Sequence, residues 1–353
     1  WDFVTDAFPS RESYSVFGQV TYSFTDSTRI ISGLRYSEDT FTTDVTNFFN
    51  VESFQEEGTN DETTWRITGE LDFKDSSMAY LSFTKGFKPG GSNLTFGFTE
   101  AQDIEAGRPV APAMVFPTFE AETVDSVEVG LKTDLNDGRA RANIAVFNYT
   151  YENLQFQATD PDPYRGGVAN IPKSEMSGIE IEFKSLLTDS LTLDVNLGFL
   201  DSEVTSDYMV LDNVDAYQYF FGQEDLRYNL RENVRGNKLA KSPEHTSDIS
   251  LKYVTSLTSG TLLTGILQFV HRGDFQQRVS NNSAVDAIDS YDVINLNLGL
   301  DFVGDKWGLD FIVLNATDED GVNSSMTDVF GVAATGLELI PPRQYMLRLS
   351  MNY

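Results

Sequence analysis

Side chains able to bind a metal or carry out acid, base or nucleophilic chemistry are sparse and scattered. Histidine occurs only at His245 and His271, and cysteine is absent, so neither a disulfide framework nor a thiolate site is available. Each histidine falls near the end of an extended segment with no second ligand at metal spacing, which argues against a zinc site and against haem capture. Asp318-Glu319-Asp320-Gly321 and Asp160-Pro161-Asp162 are acidic turns, but the spacing of a calcium-binding loop is missing and they read as solvated turns. Serine is plentiful without a Gly-x-Ser-x-Gly elbow and paired base. Gly86 to Gly91 is glycine-rich, yet no following helix or Lys-Ser/Thr makes it a phosphate cradle. No catalytic, cofactor or metal site is therefore predicted.

Binding chemistry is better represented. In the segment 215–223, Tyr217, Tyr219, Phe220 and Phe221 offer aromatic faces for stacking on a ligand; the alternative is that they pack against neighbouring loops. With 25 Lys+Arg against 54 Asp+Glu, the net charge of -29 excludes a nucleic-acid partner, since phosphate binding needs clustered cations. Such acidity suits surface loops and a water-filled lumen, and equally a dispersed soluble protein.

The elements that must position these residues are strands. Helical periodicity is nearly absent, while apolar and polar residues alternate along the whole chain. Tyr14, Val16, Gly18, Val20, Tyr22 and Phe24 fall on one face of the first clear strand; Trp65, Ile67, Gly69, Leu71 and Phe73 repeat the pattern, as do Leu191, Leu193, Val195, Leu197 and Phe199. No run of about 18 apolar residues makes a transmembrane helix, a test that alternating barrel strands escape. The pattern predicts about thirteen strands, near 12–24, 28–44, 63–73, 77–88, 123–135, 139–156, 168–184, 191–204, 246–254, 261–273, 290–302, 307–317 and 343–353.

Connections alternate in length. Short turns rich in Asp, Asn, Ser and Gly lie at 25–27, 74–76, 136–138, 188–190 and 304–306. Long segments lie near 45–62, 89–122, 157–167, 205–245, 274–289 and 318–342. One rim is thus short and the other long, the asymmetry of an outer-membrane barrel. Tyr14 and Phe24 stand ten residues apart, and at ~3.3 Å per residue and ~45° tilt this spans roughly 23 Å, close to the apolar band between aromatic girdles. Counting back from a last strand that ends at the short rim gives an odd number of strands. Bacterial single-chain barrels close with even numbers. Residues 1–11 hold no additional strand, so the chain is expected to begin after a surface loop, with any export signal, and strands upstream, outside the sequence.

The last strand alternates Tyr345, Leu347, Leu349, Met351 and Tyr353 on one face, and this ending resembles the terminal signal by which outer-membrane barrels are recognised for assembly. Further segments resemble one family, the TonB-dependent receptors. Leu81-Ser82-Phe83-Thr84-Lys85-Gly86-Phe87-Lys88-Pro89-Gly90-Gly91 is similar to the family's strand-exit motif, with Gly86, Phe87, Lys88, Pro89, Gly90 and Gly91 at its centre. Glu128-Val129-Gly130-Leu131-Lys132 resembles its Glu-x-Gly-x-Lys hairpin, Ser177-Gly178-Ile179-Glu180-Ile181-Glu182 its Gly-Val-Glu-x-Glu strand, and Asn315-Ala316-Thr317-Asp318-Glu319 the segment before its final loop.

The resemblance implies an all-β transmembrane antiparallel barrel in the cell outer membrane. Residues 1–353 would be the C-terminal portion of a 22-stranded barrel, with the N-terminal plug and first strands absent. It implies a receptor, without enzymatic activity or cofactor, importing a scarce nutrient such as a ferric siderophore. The implied partners are the TonB complex acting through the plug, the barrel-assembly machinery, membrane lipid and lipopolysaccharide. A vitamin, oligosaccharide or other chelate is the alternative cargo. A passive porin, an adhesive barrel and a soluble acidic β-sandwich are alternatives in other classes.

Overall fold

The computed structural model describes residues 5–47, 52–74, 76–93, 115–161, 164–212, 214, 231–257, 260–302, 307–327 and 335–351. In chain order its strands begin with β1 (Thr5–Ser23), β2 (Thr28–Asn47), β3 (Glu52–Lys74), β4 (Ser77–Lys88), β5 (Gly91–Ser92) and β6 (Thr118–Phe119). Next come β7 (Glu122–Leu135), β8 (Ala140–Pro161), β9 (Tyr164–Leu186), β10 (Leu191–Val204), β11 (Met209–Leu211) and β12 (Arg231–Asn233). They continue through β13 (His245–Ser256), β14 (Leu262–Arg272), β15 (Phe275–Gln276), β16 (Ala287–Ile288) and β17 (Tyr291–Asp301). The chain closes with β18 (Trp307–Leu314), β19 (Val322–Thr327), β20 (Thr335–Leu339) and β21 (Gln344–Met351). Thirteen of them form one antiparallel meander in the order β1-β2-β3-β4-β7-β8-β9-β10-β13-β14-β17-β18-β21. The remaining eight make four two-stranded ribbons, each within a long connection. Every strand predicted from alternation is present.

Register fixes the faces, because directly opposed residues on neighbouring strands share a side. Leu34 opposes Trp65, Ile67 opposes Phe83, and Leu81 opposes Val129. The rib continues through Val146, Ile179 and Phe199, then through Leu251, Leu267 and Leu296, and reaches Phe311 against Leu347. These side chains point away from the sheet; Val16 and Leu347 are each 72% exposed. An apolar band across every strand of the sheet would aggregate in water, whereas hydrocarbon is its natural solvent. The other face is polar and cross-linked. Arg29 donates to Glu70 at 2.5 Å and to Asp72 at 2.6 Å, Thr68 and Ser82 hydroxyls meet at 2.8 Å, and Gln268 bridges Asp248 and Asn295 at 2.8 and 3.0 Å.

Tight turns end the strands at one rim at 25–27, 136–138 and 188–190 as predicted, while the turn expected at 304–306 and residue 75 of the one at 74–76 lie outside the described residues. Asn136, Asp137 and Gly138 take φ of 52°, 54° and 80°, the left-handed conformations that this hairpin requires. A further short turn, closed by Gly260 N donating to Leu257 O at 2.8 Å, joins β13 to β14.

Two long segments are corrected. The stretches near 45–62 and 157–167 are continuations of hairpins: β2 pairs with β3 out to Asn47 and Glu52, and β8 pairs with β9 out to Pro161 and Tyr164. Residues 55–64 are nearly all polar, so alternation cannot reveal them as a strand; backbone pairing above the membrane holds them. Residues 5–11 likewise lengthen β1 without adding a strand.

The buried apolar core lies at the long-connection rim, outside the membrane band. Ile171, Val204, Val210, Val234, Leu239 and Val279 form one cluster, and Val115, Ala158, Ala169 and Leu211 a second. Asn153 on β8 takes φ 54°, and opposite it stands Pro172, which cannot donate to the ladder. Below this point Ile144 and Val146 are exposed on the outer face; above it Leu154, Phe156 and Ala158 pack into the rim clusters. The β8–β9 ribbon therefore hands its apolar residues from lipid to the loop core.

Candidate ligand-binding site

A cavity of about 1210 Å³ opens among the elements of the long rim. Its walls come from the upper β8–β9 ribbon, β11, the connections after β10 and β14, and the β19–β20 hairpin. Phe156, Val210, Met326 and Leu337 supply apolar surface, while Lys241 and Arg278 supply positive charge. A pocket that is mostly apolar, with a few convergent polar groups, has the character of a small-molecule site.

The cavity floor is fastened by one network. Arg278 donates through Nε to Asp286 at 2.5 Å and through Nη1 to Asp212 at 2.9 Å. Asn282 reinforces both carboxylates, its backbone N–H donating to Asp286 at 2.8 Å and its Nδ2 to Asp212 at 2.6 Å. Asp286 is fully buried. Desolvation raises its carboxyl above the usual carboxylate range, against the lowering effect of Arg278 and the Asn282 N–H. Desolvation also opposes the charge of Arg278, but its bonds to Asp286 and Asp212 outweigh that and hold the guanidinium protonated. The network ties the β10–β13 connection to the β14–β17 connection across 66 residues of sequence.

Of the strand-exit motif, only Lys88 lines the cavity; the other five residues shape the backbone that carries it. Pro89 O accepts from Gln155 Nε2 at 3.0 Å, and Gly90 O accepts from Arg11 Nη2 at 2.7 Å. A Cβ on Gly90 would lie 2.3 Å from Phe119 O, so only glycine permits this approach to β6. Phe87 opposes Thr123, Gly86 packs on Val124, and Gly91 pairs with Phe119. Asn93, just beyond, clamps β9 through Val168 N at 2.8 Å and Val168 O at 2.7 Å.

Tyr217, Tyr219, Phe220 and Phe221 lie outside the described residues. Tyr345, Leu347, Leu349 and Met351 alternate on the outer face of β21, and Tyr353 lies outside the described residues. Asn315-Ala316-Thr317-Asp318-Glu319 forms a pinned corner. Asn315 accepts from Glu319 N at 2.9 Å and donates to Pro341 O at 3.1 Å, while Asp318 accepts from Arg343 N at 2.9 Å. This corner fastens the end of β18 to the start of β21.

The two histidines, far apart in sequence, are neighbours in the fold. His245 and His271 stand on the adjacent strands β13 and β14 with ring centroids 4.9 Å apart. Strand pairing joins residues that sequence spacing keeps separate. Gln155 and Phe156 on β8, Arg278 in the β14–β17 connection, and Met326 and Leu337 on the β19–β20 hairpin are cavity residues that no local motif marks, because the fold brings three separate segments together.

The chain belongs to the TonB dependent receptor-like, beta-barrel family, whose model matches residues 3–316, and its place is the outer membrane. Among solved structures, the ferric yersiniabactin uptake receptor FyuA from Yersinia pestis superimposes with a TM-score of 0.76 at 18% identity, over 99% of this chain and 47% of that one. The siderophore receptor PiuA from Acinetobacter baumannii gives 0.75 at 17% identity, over 99% and 44%. Among curated proteins, the pesticin receptor of Yersinia pestis is 24% identical over 207 residues, which is 57% of this chain and 27% of that protein. The metal-pseudopaline receptor CntO of Pseudomonas aeruginosa is 26% identical over 171 residues, 48% of this chain and 18% of that protein. The chain thus spans about half of the solved receptors that it superimposes on.

Proposed function

We propose that these residues are the C-terminal portion of a 22-stranded receptor barrel that admits a scarce small-molecule nutrient, energised by TonB through an N-terminal plug. The observation that carries the reading is the rim cavity of about 1210 Å³, held on a membrane-facing wall of the TonB-dependent receptor family. A ferric siderophore is the leading cargo: the ferric yersiniabactin uptake receptor and the siderophore receptor PiuA share this wall. A different metal chelate is the second reading, favoured by likeness to the metal-pseudopaline receptor. Alternating outer residues on β21, ending toward Tyr353, suit recognition by the barrel-assembly machinery. The outer band suits membrane lipid and lipopolysaccharide. No step in this function requires a catalytic residue.

Growth of a deletion strain under iron limitation, supplied with different iron sources, tests the cargo. Loss of growth on one siderophore, restored by the intact gene, is expected. Unchanged uptake of every siderophore, with impaired uptake of a non-iron chelate, would move the cargo to the second reading.

A further inference from the structure

On the side of the wall away from the lumen, four residues on four consecutive sheet strands form a ladder near the long rim. Phe199 on β10 stacks on His245 of β13 at 4.9 Å and 16° between planes. His245 meets His271 of β14 at 4.9 Å and 39°. His271 Nδ1 lies 2.7 Å from Asp292 Oδ1 on β17. Register places them on the outer face: His245 opposes Phe199, in the row of Ile179, and His271 opposes Asp292, four residues along their strands from the outward pair Leu267 and Leu296.

Three features of this ladder go beyond an aromatic girdle. An ionised carboxylate only accepts, so the Nδ1 facing Asp292 carries the proton and leaves the Nε2 lone pair of His271 free. That carboxylate-histidine arrangement is how ligand imidazoles are oriented toward metals. Two imidazoles sharing one tetrahedral ion at metal–nitrogen distances of about 2 Å stand roughly 5 Å apart between ring centres, which the pair already satisfies. Finally, the backbone beneath is fixed, since Gly273 N donates to His245 O at 2.7 Å and a Cβ at Gly273 would strike that oxygen. His271 and Asp292 remain reachable, with side chains 24% and 58% exposed.

The geometry points to a divalent transition-metal site at His245 and His271, with Asp292 as the positioning carboxylate. Imidazole ligands suit Cu²⁺, Ni²⁺ and Zn²⁺, with Cu²⁺ bound most tightly. Among the described residues no group of three or more His, Cys, Asp or Glu side chains converges there, so solvent completes the shell and the ion stays exchangeable. The ion would link β13 to β14 beside the loops, on the opposite side of the wall from the cavity. It is independent of the imported cargo.

The intact receptor in detergent, titrated with Cu²⁺ alone and with Zn²⁺ alone, tests the site. One ion per chain is expected, with nitrogen hyperfine structure from two imidazoles in the Cu²⁺ spectrum. His245→Gln and His271→Gln each weaken binding at least tenfold, and Asp292→Asn by roughly tenfold through loss of orientation. A spectrum without two-nitrogen coordination, or affinity unchanged in the double His→Gln variant with strand content retained, would leave the ladder a membrane-interface stack and overturn the site.

Discussion

Arg278 grips Asp286 within its own connection and Asp212 in the preceding one, so a single guanidinium holds two walls of the rim cavity together. Asp286 is fully buried and Asp212 nearly so. Replacing Asp286 by Ala strands Arg278 with one partner and removes the acceptor for the Asn282 N–H. The expected local cost is about 1–3 kcal/mol, read as amide exchange in residues 273–290 faster by roughly one to two orders of magnitude. The main sheet stays protected, because its ladder does not pass through this network. Exchange that accelerates equally in β7 and β8 would contradict the local assignment.

Tyr80 lies over Gly130, its direct partner on β7, and a Cβ there would fall 2.2 Å from the ring. The phenol then reaches Glu128 at 2.5 Å, and the Lys132 ammonium sits 5.7 Å from the ring centre. Gly130→Leu must displace Tyr80 and open this packing, with an expected loss of about 1–3 kcal/mol. Refolding titrations in detergent would read it as a lower denaturant midpoint. Gly69, where an added methyl would meet nothing within 4 Å, should tolerate Ala far better.

The β19–β20 hairpin carries a pH dependence. Glu338 accepts from Ser324 Oγ at 2.6 Å and Asn323 Nδ2 at 3.2 Å. These bonds, with a smaller contribution from Lys241, hold its carboxyl below the ordinary glutamate value. A depressed folded value stabilises the hairpin fully above the ordinary value and loses that contribution as pH falls through the depressed one. Proteolysis of the hairpin by an acid protease should therefore rise on acidification beyond what Glu338→Gln shows. Parallel profiles for the two proteins would count against it.

The strands of the sheet were legible because lipid on one side and water on the other impose a period of two, as in Leu191 to Phe199. Their polar extensions were not, since residues 55–64 keep their pairing where no apolar solvent selects side chains. Lys88 and its glycines were legible as a motif, but only the fold separates the one cavity-lining residue from five that shape its support. The Arg278 network and the histidine pair were hidden for another reason: strand order and loop packing create them, and neither has a local period. The corner at Asn315 was visible as a resemblance, and its mechanism, an amide satisfying Glu319 and Pro341 together, emerged only in three dimensions.

The central claim is that the apolar face of the sheet meets lipid. The chain has no cysteine, so single Cys substitutions from Leu191 to Phe199 on β10 can each carry a spin label in the receptor reconstituted into vesicles. Leu191, Leu193, Val195 and Leu197 are expected to show high collision with oxygen and low collision with a water-soluble nickel complex. Thr192, Asp194 and Asn196 should show the reverse, giving a period of two. High nickel accessibility at Leu193, Val195 and Leu197 would contradict the membrane wall.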